Sequence, residues 1–423
     1  MAPSRTAPSP GSTGWFPVAR AADVGSAPRA VGAGGRPFVV VRLRPGAEVT
    51  ALSARCPHRL VPLTTGTVVD GRLQCASHGW QFNAEGRCVD IPSLGAEGTP
   101  PPRADLSTPW AVEERDGWVW IAPERTLHHR PPRAVAGTSA EPVPALPEPA
   151  GPVLDNLDPA LEHAWHPVAL SDELRDGGWL AVRLLGRTRT LERRGGVLTV
   201  DPPAWGVRER HGVVQVAPQE PRGADLEVPG EDARSRSAWL PPVRTSAPAA
   251  PLLDVLLDAA HAPFAHGAGA REVAVAEVRV EHGGFSGVRD DGVDRCTVVL
   301  RPPFQLLVRR VAPDGATTTL LVLLTPEDAD STRVWTRVLL GGPQRPTRTA
   351  VATEAARQQT LLAEDLALLE LSGSPGLPLT PRDELHVPAD RLGVALRRAL
   401  GDFVVAARTP LREESREEGD VAA

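Results

Sequence analysis

The chain has 423 residues and a formal net charge of −6, which allows two or three domains and argues against nucleic acid as a partner. It contains no Lys and no Tyr, so its 46 basic residues are all Arg, and Lys nucleophiles and Tyr acids drop out of the possible chemistry. Four Cys make no disulfide framework. A reducing, cytoplasmic location is expected. The first residues lack the charged and apolar runs of a signal peptide, and no apolar run is long enough to span a membrane.

Residues 1–13 are rich in Pro, Ser and Ala and predict a disordered N-terminus. Residues 14–123 form a strand-rich unit, with strands predicted over Pro37 to Leu43 and Gly117 to Ala122. The Gly-rich run at Gly32 is a turn between strands; with no helix after it, it is not a phosphate loop. Within this unit lies Cys56-Pro57-His58-Arg59, followed by Cys75-Ala76-Ser77-His78-Gly79-Trp80. Each pair offers one thiolate and one imidazole. A [2Fe–2S] cluster with two Cys on one iron and two His on the other requires this mixture, and the neutral imidazoles raise its reduction potential. Structural zinc is the alternative, although a single residue between Cys56 and His58 is tight for paired zinc ligands. Cys88 and Cys296 have no partner at ligand spacing and read as packing thiols.

Residues 124–153 are a Pro-rich linker, able to wrap a neighbouring surface. Residues 154–238 echo the first unit in three ordered places. Ala164-Trp165-His166-Pro167-Val168-Ala169 matches Gly14 to Ala19, Trp179 to Leu184 matches Pro37 to Leu43, and Trp205 to Ala217 matches Trp110 to Ala122. No Cys falls in the second copy, so it reads as a degenerate, cluster-less β unit used for packing or subunit contact. His163, His166 and His211 within or beside it read as surface or core residues.

Residues 239–407 change character. A helical segment over Pro251 to Ala265 precedes five predicted strands: Glu272 to Val280, Cys296 to Leu300, Gln305 to Val311, Thr317 to Leu324 and Thr332 to Leu339. A long helix over Thr349 to Leu371 and a last one over Leu392 to Ala407 follow, before a charged tail at 408–423. On and beyond the first helix lies Asp254-x3-Asp258-x2-His261-x4-His266. His261 and His266 share a face only if the helix ends or bends around Pro263. Two such imidazoles with one distant carboxylate make the facial set of mononuclear non-haem Fe(II) sites, which leave positions open for dioxygen.

The Cys-Pro-His-Arg start, the His-Gly-Trp finish and the segment DAAHAPFAH together resemble the Rieske-type non-haem iron oxygenases, the terminal oxygenase or ring-hydroxylating α-subunit family. The likeness covers about Trp15 to Pro123 and Trp239 to Leu371. It implies an α+β fold: an N-terminal all-β Rieske domain, the second Rieske-like unit, and a catalytic domain whose antiparallel sheet wraps a long helix. It implies a [2Fe–2S] cluster on Cys56, His58, Cys75 and His78 and a mononuclear iron on His261, His266 and Asp365, with Glu364 as the alternative carboxylate. Asp258 is then the bridge, hydrogen-bonded to a ligand His on each side, between one subunit's cluster and its neighbour's iron. Ser77 stands where the family often has Tyr, and Ser77, Trp80 and Asp254 are supporting candidates. Asp254 is either an acid behind the ligands or a helix-start residue.

The implied activity is that of a terminal oxygenase component. Electrons from NAD(P)H arrive through a separate ferredoxin or reductase, since the chain has no nicotinamide or flavin motif. O2 is activated at Fe(II) to hydroxylate or demethylate an apolar small molecule. The alternatives are an oxidative cyclase or desaturase of the same family and a cluster-only redox or scaffold protein. Transfer across subunits implies a cyclic homotrimer. Phe264, Phe285, Phe304 and Leu306 are the apolar pocket candidates.

Overall fold

The computed structural model describes residues 13–145, 151–258, 260–267, 272–281, 283–290, 295–370, 375–380 and 382–409. The expected N-terminal tail (all but its last residue) and the charged tail from 410 onward lie outside them. In the first β unit, Phe16–Arg20 pairs antiparallel with Trp118–Ala122, which pairs with Ala111–Arg115. A second sheet joins Arg29–Ala33, Arg36–Val41 and Thr50–Ser53. Gly34 and Gly35 turn the first hairpin at φ +56° and +73°, the left-handed pair that a two-residue hairpin with right-handed strand twist requires. A third sheet of four short strands, from Thr67–Val69 to Cys88–Asp90, carries the two Cys/His loops.

The second β unit repeats the first two sheets. His166–Leu170 pairs with Val213–Ala217, which pairs with Gly206–Arg210. Its register shift lies between Pro167 and Ala169, as the first unit's lies between Pro17 and Ala19. Trp179–Leu184, Arg187–Arg194 and Val197–Asp201 form the matching three-stranded sheet. The edge-on contact of Trp15 with Trp110, at 6.3 Å between ring centres, recurs as Trp165 with Trp205 at 5.7 Å. In place of the four-stranded sheet there is only a short connection from Asp201 to Gly206.

Eight antiparallel strands make the third unit's sheet. They include Ser235–Trp239 and Val243–Thr245, both paired with Ser331–Gly341, so this sheet recruits residues before the expected start at 239. It also includes Gly284–Asp290, a strand the sequence pattern did not reveal because two glycines dilute its apolar alternation. Side chains on Thr317–Asp328 alternate between the two faces, as strand geometry demands. Val322 and Leu324 join the core beneath the helices, while Leu321 and Leu323 pack with Val213 and Leu226 of the second β unit's side. That unit therefore covers the sheet face opposite the helices. The covering helices are α1 (Ala249–Leu257), α2 (Ala262–Ala265), α3 (Arg348–Glu370) and α4 (Arg391–Arg408).

Two polar ties fix these layers. Pro248 precedes α1 without a side-chain cap; the Ala249 N–H instead donates to Asn156 Oδ1 at 2.8 Å. The Asn156 amide also donates to Asp328 O, Ser331 O and Thr332 Oγ1 at 3.0–3.2 Å, so a buried side chain satisfies its own groups and a helix start together. The linker folds back on the first unit: Trp15 Nε1 donates to His128 O at 2.6 Å and Glu141 N to Pro17 O at 3.0 Å. The surface that it wraps is the chain's own.

His166 is not a ligand; it is buried with Nε2 donating to Leu161 O at 2.7 Å. Burial pushes it down to about 4, from 6.5. Its folded pKa lies below its unfolded one, so the neutral ring's contribution is complete above pH 6.5 and is lost as pH falls through 4. That contribution is worth about 3 kcal/mol. Urea unfolding followed by Trp fluorescence should weaken by about this amount between those pH limits. His166→Gln should flatten the profile, and an unchanged slope in that variant would contradict the assignment.

Candidate metal centres

The two Cys/His loops share one backbone plan. Cys56 N donates to Val61 O at 3.0 Å and Cys75 N to Trp80 O at 2.9 Å; Leu60 N and Gly79 N donate back to Cys56 O and Cys75 O at 3.0 and 3.1 Å. Each turn closes through a left-handed residue, Leu60 at φ +55° and Gly79 at φ +67°. The paired loops bring Cys56, His58, Cys75 and His78 together in a buried core. The His58 and His78 ring centres are 4.3 Å apart, and Trp80 stacks on His58 at 4.7 Å. The two thiols are in hydrogen-bond contact: Cys75 is lowered to about 7, first by that bond, while burial holds Cys56 up. Ser77 is buried in the same loop, and its backbone N–H also favours the Cys75 thiolate. Cys88, by contrast, is pushed up to about 12 by burial and is an inert thiol.

The outer nitrogens of both histidines are engaged. His58 Nε2 meets Asp390 at 2.9 and 3.0 Å, and His78 Nε2 meets Asp258 Oδ2 at 2.6 Å. His58 Nδ1 is buried without a hydrogen-bond partner. A carboxylate on one ring nitrogen and a bare, buried second nitrogen is the arrangement of a metal-ligating imidazole. The four side chains thus fit a [2Fe–2S] cluster held through two sulfurs and two Nδ1 atoms. Burial lowers His58 despite Asp390, whereas at His78 the Asp258 carboxylate outweighs burial and raises the ring.

The second constellation forms where the expected long helix breaks. Its first part, α1, ends at Leu257; Asp258 is extended at φ −85°, ψ 113°. The break therefore comes before Pro263, which sits in the first turn of α2, where proline is tolerated. His261 and His266 flank α2 and face Asp365 on α3. Asp365 Oδ1 is 2.9 Å from His261 Nε2 and 3.0 Å from His266 Nε2, and the two nitrogens are 3.2 Å apart. Three donors bound at right angles to one ion at about 2.1 Å would be about 3.0 Å apart. This near-equilateral triangle fits one face of a six-coordinate iron. Glu364 sits on the other side of His266, with Oε2 2.6 Å from Nδ1, the place of a carboxylate that orients a ligand.

Three expectations are corrected. Asp258 makes only half of the expected bridge: its Oδ1 accepts the Ala260 N–H at 2.9 Å, and His261 Nδ1 is buried without a partner. The His78 and His261 ring centres are 6.5 Å apart. Asp254 is not at a helix start; it is buried late in α1, paired with Arg59 and with Arg397 at 2.9 Å. Of the pocket candidates, Phe285 and Phe304 are core residues and Phe264 packs against Gly79. Leu306 does line a cavity of about 190 Å³ beside the triad, with Leu256, Val308, Leu320, Val322 and Leu362.

No local pattern points to Asp390, which is 332 positions from His58 and resembles any acid at a helix start. Arg59 was visible only as a motif letter. It lies between the two centres and pairs with Asp254, with Asp390 at 3.1 Å and with Asp258 at 3.5 Å. His78 holds Asp258, and His58 holds Asp390, well below the ordinary carboxylate range despite burial, and Arg59 adds to both.

Iron analysis of purified variants separates these roles. The intact chain should carry three iron atoms. Asp365→Ala should lose one, Glu364→Ala should retain all three with weakened binding, and Cys75→Ser should lose two; equal loss from Asp365→Ala and Glu364→Ala would contradict the division between ligand and orienting group.

Residues 14–106 match the Rieske [2Fe–2S] domain and residues 270–406 the vanillate O-demethylase oxygenase C-terminal domain. The chain is 49% identical over 70 residues to the protein TIC 55 of Pisum sativum, covering 16% of this chain and 12% of that protein. It is 36% identical over 109 residues to the 3-chlorobenzoate-3,4-dioxygenase oxygenase subunit of Comamonas testosteroni, covering 25% of each. The matches thus span a quarter or less of these relatives' length. Among solved structures, NdmA of Pseudomonas putida CBB5 aligns with 19% identity and a TM-score of 0.37, over 95% of this chain and 96% of that one. With a Rieske domain ahead of an oxygenase C-terminal domain, the chain belongs to the Rieske-type non-haem iron oxygenase family.

Proposed function

We propose that this chain is the terminal oxygenase component of a multi-protein system, oxidising a small apolar molecule that bears an anionic group. The observation that carries the reading is the His261–His266–Asp365 triangle opening onto an aliphatic cavity, with the Cys/His loops one carboxylate away. When bound, the cluster supplies single electrons and the mononuclear iron supplies the site of dioxygen activation. The electrons come from a separate ferredoxin or NAD(P)H-dependent reductase. Cys56, His58, Cys75 and His78 hold the cluster; His261, His266 and Asp365 hold the iron; Asp258 lies between them. Trp80 fixes the His58 ring by stacking, and Glu364 fixes His266.

The cavity supplies the substrate class. Its walls are mainly Leu and Val, which exclude water and receive an apolar body. Arg289 also lines it and has no ion pair or hydrogen bond among the described residues. A lone guanidinium in an aliphatic pocket favours a carboxylate or similar anion.

Dioxygen uptake by the reduced, iron-loaded protein with a panel of hydrophobic carboxylates tests this. Uptake should depend on substrate, and Arg289→Leu should raise KM about 10- to 100-fold, as expected for loss of a charge-assisted hydrogen bond. Labelled oxygen in the product marks a hydroxylase; its absence with turnover marks a cyclase or desaturase. Two irons per chain and no uptake would leave only a redox protein.

A further inference from the structure

We infer that the cavity beside the triad is a slot across the sheet, fitted to a slender substrate with an anion at one end and a neutral hydroxyl or amide at the other. This rests on the oxygenase reading for the reaction, and on the cavity floor for its evidence. Two strands, Gly284–Asp290 and Ser331–Gly341, bound that floor, with three strands between them. Arg289 stands on the first and Thr336 on the second, and both line the one cavity. Neighbouring strands lie about 4.8 Å apart, so the two backbones are separated by about 19 Å along the sheet. Strand alternation puts Arg289 on the face of Phe285 and Thr336 on the face of Val334, both in the core beneath the helices. The floor between them is aliphatic. Thr336 pairs with Val322 and Val322 with Leu306, while Val308 pairs with Leu320.

The polar groups at the two ends differ in kind. Thr336 is 8% exposed, and its hydroxyl makes no hydrogen bond among the described residues. A buried hydroxyl without a partner is costly, and a ligand group that meets it recovers that cost. Gln358 of α3 lines the same cavity, and its amide NH2 donates to Glu354 Oε1 at 2.8 Å. Its side-chain oxygen is left to accept. Arg289 is the only cation among the lining residues. A second anion, at the Thr336 end, would be buried without a counter-charge, so the group recognised there is neutral. The aliphatic floor between the ends keeps water out and receives the apolar body. Held at both ends, such a molecule cannot slide along the slot, and the carbon presented to the triad is fixed. Thr336 is in this sense a specificity-determining residue.

Titration calorimetry of the iron-loaded full chain with octanoate and ω-hydroxyoctanoate tests the slot without requiring turnover. The intact protein should bind ω-hydroxyoctanoate about 10-fold more tightly than octanoate, the worth of one buried hydrogen bond. Thr336→Val keeps the shape and removes the hydroxyl, so it should bind the two alike. Thr336→Ser should restore the preference. Arg289→Leu should weaken both ligands and keep the preference between them. Equal binding of the two by the intact protein, binding of neither, or a preference that survives in Thr336→Val would overturn the inference. If Thr336→Val does not fold, the comparison of the two ligands on the intact protein still decides. The expected preference without dioxygen uptake would refute the oxygenase reading and leave the slot standing.

Discussion

The structure depends on one buried contact, the 2.6 Å hydrogen bond between His78 and Asp258. The two side chains are only 5% and 8% exposed, so neither can exchange its partner for water without a separation of the surrounding structure. Removing one member of such a pair strands the other in a low-dielectric interior, at a cost of about 3–5 kcal/mol. Arg59 extends the constraint, because its guanidinium pairs with Asp254, Asp258 and Asp390 at once. Arg397 adds a second cation, shared between Asp254 and Glu384 at 2.9 Å each. The network is complete only when the cluster loops and the catalytic helices are in place.

This constraint explains the shape of the catalytic unit. α1 has to stop at Leu257 so that Asp258 can turn toward the loops, and α2 then presents His261 and His266 to α3. Asp258 secures the break by accepting the Ala260 N–H. On the loop side, Gly79 is held at φ +67° and lacks the Cβ that would strike Phe264. A helix break, a turn and a glycine are therefore consequences of one approach between two segments 180 positions apart.

Much of this was legible in the sequence, for identifiable reasons. The four candidate cluster residues and the two candidate iron histidines sit in short motifs whose spacing is chemical, so they can be picked out locally. The repeated unit was visible because Trp15, Trp110, Trp165 and Trp205 are large, rare side chains whose packing recurs. What could not be read was everything set by long-range approach. Asp390 and Arg397 lie in an ordinary helix start and an ordinary helix. Arg289 is one Arg among 46, and only the folded sheet places it in the cavity. The approach of the two centres also depends on tertiary docking, which no local motif records.

The central claim is that the Cys/His loops and the His261–His266–Asp365 triangle hold two iron centres that approach each other through Asp258. Spin relaxation of the reduced cluster reports this directly, because a nearby paramagnetic iron accelerates it. The account predicts that the fast relaxation of the iron-loaded protein is lost in Asp365→Ala, which empties the mononuclear site and keeps the cluster. Unchanged relaxation in that variant would contradict the account.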